Sequence, residues 1–175
     1  EKADPLTITE DEFKESVCKK PCNISKAIYT SLTGLSPLIA EEICFRASID
    51  GSDAAVSLNE TACTHLYHTF QRLMDQVKEG DFTPNIIYRG AEPVEYSVLP
   101  LTQFGTEYQS ESFPTVSAML DSYYSSRDTL NRIRQKSSDL RRIVQTALER
   151  NRKKFALQSK QMKDTSKKEK YRVYG

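Results

Sequence analysis

The chain has 175 residues and a formal net charge of +1, from 25 Lys/Arg against 24 Asp/Glu. No apolar run approaches the ~18 residues that a bilayer span needs, and no stretch reads as basic start, apolar middle and small-residue exit, so neither a membrane span nor a secretory signal is expected. The near-neutral total hides a split: residues 1–131 hold 10 Lys/Arg and 20 Asp/Glu, whereas residues 132–175 hold 15 and 4. The basic end is expected to attract a polyanion such as nucleic acid, with mutual neutralisation inside an assembly as the plainer reading.

In chain order, residues 9–20 read as a short helix, with Thr9, Asp11 and Glu12 at its start, Phe13 and Val17 at helical spacing, and Pro21 ending it. Residues 24–32 place Ile24, Ala27, Ile28 and Leu32 on one helical face. Gly34 follows as a left-handed stop, then Ser36 as N-cap and Pro37 as first residue of a helix to about Ser48 that buries Leu38, Ile39, Ile43 and Cys44 or Phe45. Ser57 and Glu60 form a capping-box pattern for a helix that ends at Gly80 and buries Leu66, Phe70, Leu73 and Val77. Residues 85–91 and 94–101 read as an antiparallel hairpin turning at Gly90 to Pro93, with Pro100 weakening its second strand. Residues 102–114 read as a polar loop whose tip, TEYQSES, has little to bury. From Thr115 the pattern stays helical, with no Pro or Gly between Val116 and Val173. Leu130, Ile133, Leu140, Val144, Ala147, Leu148, Phe155 and Met162 form one narrow apolar seam, so this helix is expected to project and to take a coiled-coil partner after Gly175 or in another chain.

The expected class is therefore mainly α with a small β element (α+β). It divides into a helical domain with a helix-hairpin-helix over 1–80, a small antiparallel β region and loop over 81–114, and the first strand of a basic coiled-coil arm over 115–175.

The chemistry on offer is binding chemistry. Gly34 and Ser36 in LTGLSPLIAEEI carry the logic of a phosphate site, a tight turn followed by free amides at a helix start. Glu41 and Glu42 on the same helix repel phosphate, and a helix pair joined by a Gly turn is also ordinary packing. Arg132, Arg134, Arg141, Arg142, Arg150, Arg152, Lys153 and Lys154 fall on several faces of the last helix, in a run poor in acids. Cys18 and Cys22 with His65 and His68 supply two thiolates and two imidazoles, but Pro21 and the ~40-residue gap do not match compact zinc spacing. The four cysteines are expected to be unliganded, reduced thiols, Cys44 and Cys63 being small core residues. No nucleophile elbow, phosphate loop or HExxH motif occurs, so no catalytic residue, metal or cofactor is expected.

Four stretches carry a resemblance: TGLSPLIAEEICFRA (33–47), FPTVSAMLDSYYSSRD (113–128), SDLRRIVQTALERNRKKFALQSKQMK (138–163) and KYRVYG (170–175). From about residue 24 onward the chain resembles the NFACT family, also known as fibronectin/fibrinogen-binding proteins, and is read as an internal fragment of such a protein. The resemblance implies a non-enzymatic RNA- and ribosome-binding protein of ribosome quality control. Its partners would be tRNA (alanyl-tRNA in bacteria) and a large ribosomal subunit holding an obstructed chain, which is extended at its C-terminus with alanine. Nucleic-acid contact then carries over to Gly34, Ser36, Arg150, Arg152, Lys153 and Lys154, with Arg141 and Arg142 joining from the basic helix. A cytoplasmic location is implied. The older family name implies as alternatives a fibronectin- or fibrinogen-binding adhesin and a second location at the cell surface. The helix hairpin leaves a DNA-binding repair module as a third reading, and the apolar seam leaves coiled-coil self-association open.

Overall fold

The structure is a computed structural model describing residues 2–173, without the side chain of Lys170. Tyr174 and Gly175, at the end of the KYRVYG resemblance and of the expected arm, lie outside the described residues. The chain divides into two compact units, Glu1–Tyr124 and Ser125–Gly175. The segments 1–80 and 81–114 and the opening of 115–175 thus fall in the first unit, and the remainder forms the second.

Helix α1 (Glu10–Phe13) starts with a complete capping box: Thr9 Oγ1 accepts from the Glu12 amide, and the Glu12 carboxylate takes the Thr9 amide in return. It continues as a π-helical turn, Lys14–Cys18, that turns Val17 and Cys18 inward. Helix α2 (Ile24–Ser31) is capped by Asn23 and buries Ile24, Ala27 and Ile28 with no exposure, together with Leu32 just after its end. After Gly34, at φ 75°, helix α3 (Pro37–Arg46) begins at its expected cap: Ser36 Oγ accepts from the Ile39 amide at 3.3 Å and Pro37 occupies the first turn. Its burial differs from expectation. Leu38 and Ile39 are half-buried and Phe45 is 53% exposed, while Ala40, Ile43, Cys44 and Glu42 face inward.

Helix α4 (Glu60–Glu79) is capped by Asn59, whose Oδ1 accepts from the Ala62 amide at 2.8 Å. Ser57, the expected cap, sits in a short 3-10 turn and its hydroxyl donates to the Ala54 carbonyl. A direct bond to a free helix amide two residues later wins over the S-x-x-E pattern. Gly80, at φ 71°, ends α4 as expected. Phe13, Ile24, Ile28, Leu32, Ile43, Leu66, Phe70 and Leu73 interlock between these helices, and each contributes about 1.5–3 kcal/mol by leaving water.

The sheet has three strands where the sequence pointed to two. Strands β1 (Asn85–Arg89) and β2 (Glu92–Ser97) form the expected hairpin, turning at Gly90 and Ala91, with a bulge after Ile87. Pro93 lies inside β2, which an edge strand tolerates because one side of it needs no ladder donor. Strand β3 (Gln109–Ser112) falls in the expected polar loop and pairs antiparallel with the other side of β1, in the order β2-β1-β3. All four of its side chains are exposed, so only backbone hydrogen bonding holds it there.

Helix α5 (Val116–Val173) opens with Thr115 Oγ1 accepting from the Ala118 amide. Its first turns close a second core of Ile86, Met119 and Tyr123, flanked by Tyr88, Tyr96, Phe113 and Leu120. Among the described residues no helix is long and apolar enough to cross a membrane.

One local strain stands out. Ser48, at φ 56°, follows α3 in the left-handed region, with its amide on Phe45 O and the Ile49 amide reaching back to Cys44 O. This is the paired closure that usually uses glycine. Ser48→Gly is expected to stabilise the first unit by about 1 kcal/mol, read as a higher urea midpoint at unchanged slope; a lower midpoint would show that the Ser48 side chain carries a contact worth more than the strain.

Candidate nucleic-acid interface

The expected contact residues fall in both units. Gly34 and Ser36 form the turn between α2 and α3 in the first, and Arg141, Arg142, Arg150, Arg152, Lys153 and Lys154 lie on α5 in the second.

At the turn, the supply of free amides is small. Pro37 has no N–H, Ser36 takes that of Ile39, and the Ala40 amide already bonds to Ser36 O at 3.0 Å. Of the first four helix positions only Leu38 keeps an amide for a ligand. The surroundings are apolar: Gly34 and Ser36 edge an open groove of about 650 Å³ shared with Leu6, Leu38, Phe82 and Leu120, and no cation is among its lining residues. Glu41 is exposed, but Glu42 does not face an approaching phosphate as expected. It is fully buried, and its carboxylate accepts from the Thr102 amide at 2.9 Å, Thr102 Oγ1 at 2.7 Å, the Gln103 amide at 3.0 Å and Arg46 Nε at 2.7 Å. Arg46 Nη2 in turn donates to Pro100 O. The acid that looked like a repulsive surface charge instead ties α3 to the segment following β2.

On the second unit the cations are presented to solvent. All six expected contact residues are exposed. Arg142 makes a loose pair with Asp139 at 3.9 Å, and the other five have no ion pair among the described residues. At 3.6 residues per turn, Ile133, Leu140, Val144, Leu148, Asn151, Phe155 and Met162 form one stripe. Arg134, Arg141, Arg152 and Lys163 border it on one side, Lys136 and Lys154 on the other, with Arg150 and Lys153 behind. The stripe is bare: Leu148 is 46%, Val144 61% and Phe155 72% exposed.

The thiols and imidazoles do not assemble into a metal centre: among the described residues no group of three or more His, Cys, Asp or Glu has metal-binding geometry. His65 and His68 are exposed on α4. Cys18 and Cys63 line one pocket, and burial together with the neighbouring Cys63 thiol pushes the Cys18 thiol up. Burial, with Glu41 and Asp50 adding, pushes Cys44 up to about 12.

A family model described as NFACT N-terminal and middle domains matches residues 1–175, and the chain belongs to that family. It is similar to the Rqc2 homolog RqcH of Bacillus subtilis (strain 168), with 26% identity over 175 residues, covering 100% of this chain and 28% of that protein. The chain thus spans less than a third of the length of this relative.

Two measurements check the geometry. Glu42→Ala is expected to cost about 3–5 kcal/mol in urea unfolding, since it leaves the half-buried Arg46 guanidinium and two backbone amides without their acceptor; a loss below about 1 kcal/mol would place the carboxylate in solvent. In the native chain at pH 8, the half-buried Cys22 is expected to react first with a thiol reagent and Cys44 to stay unmodified, because only the thiolate reacts; equal rates would contradict the burial of Cys44.

Proposed function

We propose that this chain is the RNA- and ribosome-engaging part of a non-enzymatic ribosome quality control protein. The observation that carries this reading is the charge separation: the second unit presents solvent-exposed cations on several faces of one helix, while the first unit holds most of the acids. Cations of this kind bind by releasing counterions from a phosphate backbone, with little dependence on sequence. Arg141, Arg150, Arg152, Lys153 and Lys154 supply most of the contact and Arg142 a smaller share. The helix-hairpin-helix turn at Gly34 and Ser36 adds at most the Leu38 amide.

Family membership and similarity to an Rqc2 homolog support a finer proposal. The longer protein carrying this chain engages tRNA and obstructed large ribosomal subunits during C-terminal alanine tailing of stalled chains, in the cytoplasm. The ribosome makes the peptide bond, so this chain positions RNA and supplies no catalytic group. The fibronectin or fibrinogen reading implies a protein interface, which differs in its response to salt.

The test is tRNA binding as a function of salt. Wild-type chain is expected to lose affinity steeply between ~50 and ~200 mM salt. Replacing Arg150, Arg152, Lys153 and Lys154 together by Glu should flatten the log–log slope by about 3–4 and weaken binding more than about tenfold. An unchanged slope removes this helix from the interface. Binding to fibronectin that persists at ~0.5 M salt while tRNA binding is absent would favour the adhesin reading.

A further inference from the structure

Two cations meet in one cleft of the first unit. Arg46 of α3 and Arg72 of α4 line one cleft of about 270 Å³ with Thr69, Leu73 and Gln76, and no carboxylate is among these lining residues. Glu42 does not use up Arg46. Thr102 and Gln103 already saturate most of that carboxylate, and only Nε of Arg46 is committed to it. Nη2 goes to Pro100 O, and Nη1 has no protein acceptor among the described residues. Arg72 has no acidic partner among the described residues; its Nη2 donates to Thr69 Oγ1 at 3.1 Å, leaving Nε and Nη1 open. Glu42 offsets one of the two charges, and Arg72 leaves the cleft positive.

Two further groups make this more than a pair of surface arginines. Thr69 is 3% exposed and, while accepting from Arg72, keeps its hydroxyl proton to donate. Gln76 Oε1 is buried and has no hydrogen-bond donor among the described residues. An orphaned buried acceptor calls for a hydroxyl or water from outside the chain. A phosphodiester group by itself satisfies the guanidinium groups and leaves Gln76 unmet, because it brings only acceptors. A phosphate carrying an adjacent hydroxyl satisfies both.

We infer that the Arg46–Arg72 cleft between α3 and α4 binds a ribose-phosphate unit of RNA, the phosphate on the two guanidinium groups and the ribose hydroxyl on Gln76. This deepens the RNA-binding reading above but uses residues of the other unit. Arg46 has Nη1 and Arg72 has Nε and Nη1 left to donate, fixed planar N–H donors where a lysine would bring a single mobile point charge. The 2′-hydroxyl is also the group that separates RNA from DNA. The unit is acidic overall, but at ~0.1 M salt charges beyond about 10 Å are largely screened, so the lining of the cleft decides.

The experiment titrates the full chain with ribose 5-phosphate, 2-deoxyribose 5-phosphate and inorganic phosphate at low salt, following the Nε–H signals of Arg46 and Arg72 by NMR. Saturable shifts of both arginines are expected with all three, with ribose 5-phosphate about three- to tenfold tighter than its deoxy analogue for one hydrogen bond. Arg72 is exposed, so Arg72→Ala should fold with an unchanged melting point and weaken binding by about tenfold or more; Arg72→Lys, which keeps the charge and loses the fork, should fall between. Absence of saturation, or an unchanged affinity in Arg72→Ala, overturns the site. Equal affinity for the two sugar phosphates overturns the ribose assignment. Should tRNA binding be absent from the chain and from its longer parent while ribose 5-phosphate still saturates the cleft, the RNA-binding function falls and the sugar-phosphate site stands.

Discussion

The first unit is organised around a carboxylate that is wholly out of water. Glu42 on α3 receives two backbone amides and a hydroxyl from Thr102 and Gln103, about sixty residues further along, and a guanidinium from its own helix. Without those donors a buried charge would be prohibitive, so the pairing and the burial require each other. The consequence is architectural. The segment leaving β2 is fixed against α3, so the helical core and the sheet share one frame. Asn85 works from the sheet side, its Nδ2 donating to the carbonyls of Thr83, Ser97 and Leu99 around the same corner. The same constraint sets Arg46. Its Nε is held by Glu42 and its Nη2 by Pro100, and the side chain so fixed lines the cleft shared with Arg72.

The second unit obeys a different constraint. A lone helix of this polarity gains little from propensity, and packing of an apolar face normally supplies most helical stability. Here that face is narrow and bare, and interrupted by Ser137 and Asn151. Arg134, Arg141, Arg152, Lys136 and Lys154 lie along both margins of the stripe, where coiled coils ordinarily mix acids with bases. A helix seated on the stripe would meet cations on either side, and a second copy of the same surface would be repelled along its edges. The charge that suits this helix to phosphate therefore also discriminates among protein partners for its seam.

What could be read from the sequence was whatever is decided locally. Ser36 and Thr115 mark helix starts by accepting from amides three residues on, Pro37 by its fixed backbone angle, and Gly80 a helix end as a left-handed residue whose amide returns to the Val77 carbonyl; each stands where the pattern put it. The face holding Ile24, Ala27, Ile28 and Leu32 was legible for the same reason. Strand β3 was not, because all its side chains face water and alternation cannot reveal a strand held only by its backbone. The α4 cap was misplaced because Ser57 and Asn59 both offer a capping oxygen two residues apart, and only the 3-10 turn between them decides which one reaches the helix. Glu42 with Arg46 four residues on is a helix ion-pair spacing, a signal that was present. Its burial depends on Thr102 and Gln103, which no local pattern connects to α3. The second arginine of the cleft, Arg72, is an ordinary exposed cation on an amphipathic helix that also carries Lys78, and nothing in its neighbourhood marks it until α3 and α4 are packed together.

These two cationic features, one spread along an exposed helix and one concentrated in a cleft, would do different work on the same polyanion. The second unit carries sixteen Lys/Arg against five Asp/Glu, and the first nine against nineteen. Within the screening length of its surface only the second unit carries a net charge that attracts phosphate, so it would govern encounter rate and the salt response. Exposed side chains on a straight helix nevertheless hold a backbone loosely and read nothing of its chemistry. The cleft has the opposite character. It adds little long-range attraction within an acidic unit, but its groups are fixed by Glu42, Pro100 and Thr69, and its Gln76 oxygen accepts from a ligand that brings a hydroxyl. Attraction without selectivity and selectivity without attraction are complementary, and an acidic unit bearing one preorganised sugar-phosphate site gains most from them when a basic helix belongs to the same chain.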